Sequence, residues 1–448
     1  MNPRLIGSTI IAALGGLLFG FDTAVISGTT HRLQAEFALS PFLLGFTVAS
    51  ALIGTILGSI AAGRPADRYG RKNTMFIVAL LYFVSAAGSA LAWDWISFVS
   101  FRFIGGLGVG GASVVSPMYI AEISPARYRG RLVAVTQFNI VLGILLAFFS
   151  NYCIARMDLG DIDWRWMFGV EALPALAYFF LLFLVPRSPR WLVARDRIGE
   201  ARAVLERCST DSGNIEREIG EIQNSLHAER DALGEPLFQK RYARPILLAT
   251  AIAMFNQLSG INAVLYYAPR IFEMAGAGSS SALLQTVAVG GTNLLLTMAA
   301  LAVIDHFGRR RLMLAGSLGY IASLGVTAWA FYHYGGSFTE AGGAIVLAGL
   351  LVFIASHAFG QGAVIWVFLG EIFPTAVRAR GQALGSFVHW IMAAAISWSF
   401  PMIAEISGAH TFVFYCLCMV GQLVWVVRVM PETKGVSLEE MQRRLGIE

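Results

Sequence analysis

Two ionisable side chains lie inside long apolar runs in the first third of this sequence. Asp22 falls in the first run and Arg102 in the fourth. A charge in an apolar environment is costly unless it is paired, so we expect these two residues to contact each other. A carboxylate that separates from its cation there binds a proton more readily. The pair is therefore a candidate proton-coupling site, with Glu171 in the sixth run as a third candidate; the alternative is a permanent bridge.

Three amides, Asn256, Gln257 and Asn262, lie in the seventh apolar run. An amide both donates and accepts hydrogen bonds, which suits a ligand rich in hydroxyl groups. Gly260, between them, can loosen the helix backbone. The alternative for each amide is a hydrogen bond between helices, which stabilises by about 0.6 kcal/mol on average.

The elements that must position these residues are membrane helices. Of the 448 residues 56% are hydrophobic and 14% charged, a composition that excludes a soluble surface. Twelve apolar runs are long enough to cross a hydrocarbon core of roughly 30 Å. We therefore predict an all-α membrane protein with twelve transmembrane helices. The runs lie near residues 5–28, 42–63, 73–93, 96–119, 131–154, 165–186, 245–274, 281–304, 311–333, 344–369, 380–403 and 409–430.

A polar segment separates the first six runs from the last six. Ile215, Ile219, Ile222 and Leu226 recur within it at helical spacing, which predicts surface helices. The predicted domains are a six-helix bundle over 1–186, a cytoplasmic linker over 187–244, a second six-helix bundle over 245–430 and a cytoplasmic tail over 431–448.

Basic residues concentrate in loops of one parity, which the positive-inside rule assigns to the cytoplasm. Loops of the other parity contain only Arg32, Arg156, Arg165 and Arg270. Both termini and the linker are therefore predicted to be cytoplasmic. The basic loops contain Arg64, Arg68, Arg71, Lys72, Arg127, Arg129, Arg131, Arg309, Arg310 and Arg311.

An internal repeat relates the two sets of six runs and preserves their orientation, as in carriers built from parallel repeats. Its charged members can form ion pairs that hold the cytoplasmic face closed and break when it opens. The alternative is a topogenic cluster with solvated partners. Asp67, Gly70, Arg71, Glu122, Pro125 and Arg129 recur as Asp305, Gly308, Arg309, Glu371, Pro374 and Arg378. With Arg64, the charged members form the predicted cytoplasmic gate.

Six motifs in order resemble the sugar porter family of the major facilitator superfamily over essentially the whole chain. The resemblance implies the major facilitator fold, alternating access and a sugar substrate. The motifs are Gly63-Arg64 with Asp67 to Lys72, Pro117 to Glu122, Pro186 with Ser188 to Leu192, Gln257 to Asn262 with Tyr266-Tyr267, Glu371 to Pro374, and Pro431 to Gly435.

The resemblance extends the substrate-binding prediction beyond the three amides. The added residues are Gln137, Asn293, Trp366, His389 and Trp390. Asn256 and His389 depart from the usual Gln and from the usual Asn or Gln. Ala363 stands where most members have Pro.

Two further positions bear on the substrate and on coupling. Ile144 replaces a Gln of the bacterial xylose symporters, as in glucose-selective relatives, which favours a hexose. Proton-coupled members have an Asp at the position of Asp22, whereas human passive carriers have Asn.

The prediction is therefore a proton-coupled sugar transporter in the cell membrane. The alternatives are a passive sugar or polyol facilitator and a transporter-like sugar sensor. An enzyme is not expected, because no catalytic set or phosphate loop occurs at usable spacing. Its four cysteines lack metal or redox spacing. We expect no metal, cofactor or nucleic-acid partner, and a chain that functions as a monomer.

Overall fold

The computed structural model describes residues 2–125, 127–208, 215–232, 235–335 and 337–447. Within them, twelve helical segments are long and apolar enough to cross a membrane, which confirms the predicted fold class. The segments are Pro3–Gly28, Pro41–Ala61, Arg71–Ala90, Trp95–Ile123, Arg129–Ala155, Gly160–Leu184, Lys240–Met274, Ser279–Ile304, Arg309–Tyr334, Glu340–Glu371, Arg378–Ile406 and Gly408–Arg428.

The α-helices are numbered in chain order, with short helices between the spanning ones. They are α1 Pro3–Val25, α2 Thr30–Glu36, α3 Pro41–Ala61, α4 Gly63–Tyr69, α5 Arg71–Ala90, α6 Trp95–Ile123, α7 Arg129–Ala155, α8 Asp163–Gly169, α9 Ala172–Leu181, α10 Pro189–Ala194, α11 Ile198–Cys208, α12 Ile215–Ala232, α13 Ala243–Leu258, α14 Ile261–Met274, α15 Ser279–Phe307, α16 Arg309–Tyr334, α17 Glu340–His357, α18 Ala363–Glu371, α19 Arg378–Ile406, α20 Gly408–Arg428 and α21 Leu438–Leu445.

Local sequence explains where several helices begin. Asp94 caps α6 by accepting a hydrogen bond from the Ser97 backbone N–H at 2.7 Å, and the Ser97 hydroxyl bonds back to the cap. These hydrogen bonds to Ser97 lower the pKa of the Asp94 carboxyl. Ser188 and Ser437 cap α10 and α21 in the same way. Each cap satisfies a backbone donor that the first helical turn leaves unpaired.

Two spans are interrupted where the sequence weakens the helix. Gly260 has φ +85°, a left-handed conformation suited to glycine, and separates α13 from α14. A π-helical turn over Ala358–Gly362 separates α17 from α18, next to the position where Ala363 replaces the expected proline. The predicted loosening at Gly260 is therefore present as a complete break in the helix.

Contacts within the chain define two compact units. The first comprises residues 1–25, 50–147 and 160–234, and the second comprises 26–49, 148–159 and 235–448. In the first unit, α10, α11 and α12 pack around Trp191, Leu205, Ile215 and Ile219. The predicted surface helices of the linker therefore bury their apolar face against one another.

Candidate functional site

The first unit contains a buried ion pair between α1 and α6. Arg102 Nη1 donates to Asp22 Oδ1 at 2.7 Å, and Nη2 donates to the Asp22 carbonyl oxygen at 2.9 Å. The side chains are 2% and 1% exposed. The structure thus brings together the pair that the sequence predicted, and one guanidinium fixes both a side chain and the backbone of α1.

Glu171 adds a second carboxylate to this charged centre. It lies directly before α9 and is 1% exposed. Asp22 and Arg102 both act on it electrostatically. Neither of its carboxylate oxygens has a hydrogen-bond partner within the described part of the chain. Two carboxylates therefore face one guanidinium in an interior that the aromatic ring of Phe168, 5.3 Å from the guanidinium carbon of Arg102, shields further.

The second unit contains a neutral polar cluster formed by α13, α18 and α19. Gln257 Nε2 donates to Asn256 Oδ1 at 3.0 Å and lies 3.3 Å from His389 Nε2. The His389 ring lies 5.2 Å from the Trp366 ring and 5.0 Å from the Trp390 ring, measured between centroids. Five predicted substrate residues therefore form one cluster of amide, imidazole and indole groups.

This cluster contains a hydrogen-bond acceptor that no described residue satisfies. The side-chain amide oxygen of Gln257, Oε1, accepts no hydrogen bond from any residue that the structure describes. Trp366 is 43% exposed, so one face of its ring is open. A free acceptor beside an open aromatic face can bind a sugar hydroxyl and the C–H surface of its ring.

Three predicted substrate residues lie outside this cluster. Asn262 follows the break at Gly260, one residue into α14, and is 9% exposed. Asn293 lies on α15, which contacts α14, and its Oδ1 accepts a hydrogen bond from Thr297 at 3.3 Å. Gln137 is half-buried on α7 in the first unit.

Sequence reasoning missed a second histidine in the second unit. His357, the last residue of α17, has its Nδ1 2.6 Å from the hydroxyl of Tyr320 on α16. Its ring also interacts electrostatically with His389. A histidine within an apolar run was a visible signal, but its partner lies 37 positions away and depends on packing.

On its cytoplasmic side, by the predicted orientation, the first unit holds a three-residue cluster. Arg71 Nε donates to Glu122 Oε1 at 3.0 Å, and the Ser188 hydroxyl donates to Glu122 Oε2 at 2.5 Å. Arg71 also pairs with Asp67 at 3.0 Å. We call Arg71, Glu122 and Ser188 the first inner triad; it joins α5, α6 and the start of α10.

The second unit holds the corresponding second inner triad, Arg309, Glu371 and Thr433. Arg309 Nη2 donates to Glu371 Oε1 at 2.8 Å, and the Thr433 hydroxyl donates to Glu371 Oε2 at 2.5 Å. Glu432 accepts hydrogen bonds from the backbone N–H groups of Arg309 and Arg310, so a carboxylate caps the start of α16. Ser188 and Thr433 each follow a proline by two positions, a correspondence the predicted gate did not include.

A glycine precedes the arginine of each triad and has φ +88° in both units. A Cβ on Gly70 would lie 3.1 Å from the Trp191 ring, and one on Gly308 would lie 2.7 Å from a Glu432 oxygen. Glycine is therefore needed at positions 70 and 308 for two reasons. It permits the positive φ, and it leaves room for the neighbouring side chain.

The remaining gate residues make other contacts. Arg129 donates to the Ala121 carbonyl oxygen, and Arg378 donates to the Phe373 carbonyl oxygen and the Thr375 hydroxyl. Arg64 is exposed. The Asp305 side chain lies outside the described residues. Among the predicted gate residues that the structure describes, acid–base pairing therefore centres on Arg71 and Arg309.

A cavity of about 400 Å³ lies beside the first inner triad and is lined by α6, α11 and α12. Glu122 and Cys208 both contribute to its wall. Burial raises the pKa of the Cys208 thiol, and Arg4 and Arg207 oppose that shift. The cysteine is thus a native reporter of how tightly the linker helices pack.

Twelve membrane spans, a buried acid–base centre and a neutral polar cluster define a membrane carrier of small solutes. The chain matches the sequence model described as "Sugar (and other) transporter" over residues 8–445. It belongs to the sugar porter family of the major facilitator superfamily.

Relatives and solved structures agree with this membership. The D-xylose-proton symporter of Escherichia coli (strain K12) is 39% identical, over 97% of this chain and 94% of the symporter. The glucose transport protein of Synechocystis sp. is 38% identical, over 96% and 95%. The inward-open structure of the E. coli xylose transporter XylE superposes with a TM-score of 0.87 at 37% identity, covering 98% of this chain and 99% of that one.

Proposed function

We propose that this chain is a proton-coupled symporter that carries a hexose across the membrane by alternating access. The observation that carries the proposal is the buried Asp22–Arg102 pair with Glu171 beside it. Two carboxylates and one guanidinium are neutral together only when one carboxylate holds a proton, and net charge in such an interior is costly. A single exchangeable proton is therefore built into the centre.

Proton and sugar must favour the same conformational change for one to drive the other. Arg102 holds both the carboxylate and the backbone carbonyl of Asp22, so protonation of Asp22 weakens the link between α1 and α6. We propose that Asp22 loads and releases the coupled proton, that Arg102 is its switching partner, and that Glu171 assists. Two relatives, named as D-xylose-proton and arabinose-proton symporters, support proton coupling.

We propose the polar cluster of the second unit as the sugar-binding surface, formed by Asn256, Gln257, Trp366, His389 and Trp390. Asn262 and Asn293 extend it along α14 and α15. Gln137 of the first unit is a separate sugar-binding prediction. The support is chemical: amides and an imidazole satisfy hydroxyl groups in both directions, and an open indole face covers apolar ring carbons.

Three further parts of the proposal follow from sequence. Ile144, 7% exposed on α7, gives no amide where xylose symporters have one, which favours a hexose. We propose that both termini, the linker and the two inner triads lie in the cytoplasm, and the distribution of Arg and Lys supports this orientation. Because one chain contains both repeats, we propose that it acts as a monomer.

Purified protein in proteoliposomes tests the proposal. Labelled D-glucose, D-xylose, L-arabinose and myo-inositol are offered separately, with and without an inwardly directed proton gradient. We expect D-glucose to accumulate above its external concentration only with the gradient, and a pH dye inside the vesicles to record acidification during uptake. Preference for D-xylose would overturn the hexose assignment alone.

Uptake that equilibrates but never accumulates would identify a passive facilitator and remove the coupling role of Asp22. Binding without uptake of any of the four solutes would identify a sugar sensor. If none of the four solutes is bound or taken up, the sugar-binding assignment itself is overturned.

A further inference from the structure

In the second half of α5, one face of the helix carries three buried hydroxyl groups. Tyr82, Ser85 and Ser89 are spaced i, i+3 and i+7, which places them on a single stripe of the helix. Their exposed fractions are 0%, 1% and 0%. The stripe belongs to the first unit, like Asp22 and Glu171, and no motif of the sequence included it.

The stripe runs beside the acid–base centre. A methyl group on Gly105 would contact both the Ser85 hydroxyl and Asp22 Oδ1, so these two oxygens border the same small space on α6. Asp22 and Glu171 both act electrostatically on Tyr82. Ser89 lies one turn beyond Ser85, one residue before α5 ends at Ala90. The hydroxyls therefore lead from that end of α5 to the Asp22 carboxylate.

These hydroxyls do not bond to their own helix, as buried serines and threonines usually do. In the same unit, Thr55, Thr74 and Ser113 donate to backbone carbonyl oxygens of their own helix turns at 2.9, 3.0 and 2.8 Å. The oxygens of Tyr82, Ser85 and Ser89 have no hydrogen-bond partner among the residues that the structure describes. Asp22 Oδ2 and Arg102 Nε in the same centre are equally unsatisfied there.

Unsatisfied buried oxygens close to one another are typical sites for ordered water, because each water needs several polar partners. A chain of water and hydroxyl groups also conducts protons. Each hydroxyl accepts a hydrogen bond on one side and donates on the other, so it can receive one proton and pass one on without net change.

We propose that Ser89 and Ser85, with intervening water, form the path by which protons reach Asp22 from the end of α5 at Ala90. The inference rests on the proposed proton symport and on the orientation that places this end outside the cell. A proton from external water enters at Ser89, passes Ser85 and ends on the Asp22 carboxylate, whose ion pair with Arg102 weakens. Tyr82 lies about 4 to 5 Å further from the Ala90 end of the helix than Ser85. It is the inner end of the stripe.

Proteoliposomes containing the full chain test the path with two assays on labelled D-glucose. The first is the initial rate of uptake driven by a proton gradient, which requires protons to load and leave. The second is exchange between equal sugar pools at one acidic pH, during which the proton stays bound. Ser85→Ala and Ser89→Ala are compared with Ser113→Ala, the same substitution at a hydroxyl satisfied by its own helix.

We expect each path variant to slow gradient-driven uptake by about threefold to tenfold, the factor that corresponds to the loss of one net hydrogen bond. Exchange should stay at the parent rate, which also shows that the variants are folded. Ser89→Thr keeps the hydroxyl and should retain most of the gradient-driven rate. Ser113→Ala should match the parent in both assays.

Parent-like gradient-driven rates in Ser85→Ala and Ser89→Ala would overturn the path and leave the symport proposal intact. An equal fall in both assays would also overturn it, since the hydroxyls would then serve packing. A parent protein that moves no protons with any of the four solutes is a different failure, seen before any variant is made, and it would overturn the proposed symport and the path together. If the parent instead moves protons with D-xylose, L-arabinose or myo-inositol, both assays are run with that solute.

Discussion

The interiors of the two units are built from different chemistry. The first unit buries charge, with Asp22, Arg102 and Glu171 at its centre. The second buries neutral groups, with Gln257 and His389 in contact between aromatic rings. In the proposed function the two repeats divide two tasks: the charged groups of the first respond to a proton, and the neutral groups of the second recognise hydroxyls without the desolvation cost of an ion.

The largest effect is expected from a substitution that removes the carboxylate charge of Asp22 in the first unit. Asp22→Asn should abolish proton-driven accumulation and leave exchange between equal sugar pools, because the amide resembles the protonated acid. Vesicle uptake with and without a pH gradient measures both. Asp94→Asn is the matched control, since asparagine also caps a helix well. Accumulation that survives in Asp22→Asn would assign coupling to another residue, with Glu171 next.

In the second unit, removal of a neutral group should affect affinity and not coupling. Gln257→Ala or Asn262→Ala should weaken sugar binding by about tenfold or more, because loss of a buried hydrogen-bond partner costs about 1 to 3 kcal/mol. Equilibrium binding of labelled D-glucose measures the change. Gln285→Ala, at an amide that bonds only to Ser281 in the described contacts, is the control. Unchanged affinity in both variants would place the sugar elsewhere.

The inner triads allow a comparison of the two units by one chemical change. Glu122→Gln should increase maleimide labelling of Cys208 by about fivefold, because a loss of about 1 kcal/mol in local stability admits that much more opening. Glu371→Gln, which breaks the second inner triad, should leave labelling of Cys208 at the parent level. Peptide mass spectrometry separates Cys208 from Cys153, Cys416 and Cys418.

An equal increase in Cys208 labelling in both triad variants would show that the inner faces open together. Parent-like labelling in both would limit these residues to topology.

The smallest expected effect concerns a difference between the triads. Glu432 caps α16 in the second unit, whereas Arg187 stands at the corresponding position in the first and repels Lys72. Arg187→Glu should supply the missing cap and raise the apparent melting temperature by about 1 to 4 °C. Thermal unfolding in detergent measures the shift, with Arg187→Gln separating loss of repulsion from gain of a cap. A lower melting temperature would mean that the contact of Arg187 with the Trp191 ring matters more.

The sequence predicted the features that depend on a local residue pattern or on the energetic cost of an unpaired charge. Apolar length predicted the twelve spans, and the cost of unpaired charge predicted the contact between Asp22 and Arg102. Gly260 predicted a loosened helix backbone, and the structure has a complete break there. The sequence did not predict the hydrogen-bond partners of neutral polar groups, because a membrane helix can contain such a group without a specific partner. The Ser188 and Thr433 hydroxyls and the Tyr320–His357 contact depend on side-chain packing across helices, which leaves no periodic signal.

The hydroxyl stripe of α5 was missed for a related reason. Serine is a common small residue in membrane helices, and its usual bond to the helix backbone makes it unremarkable in a sequence. Only the three-dimensional structure shows that Ser113 bonds to its own helix whereas Ser85 does not.

The capping of α16 by Glu432 also has a consequence for how the protein assembles. Arg309 and Glu432, which meet there, are separated by 123 positions. During synthesis the N-terminal part of a chain folds first, and distant partners must wait for each other. The start of α16 stays uncapped until the twelfth span has been made, and α21, through Met441 and Leu445, then packs into the same core. We therefore expect this face of the second unit to form later during biogenesis than the first inner triad.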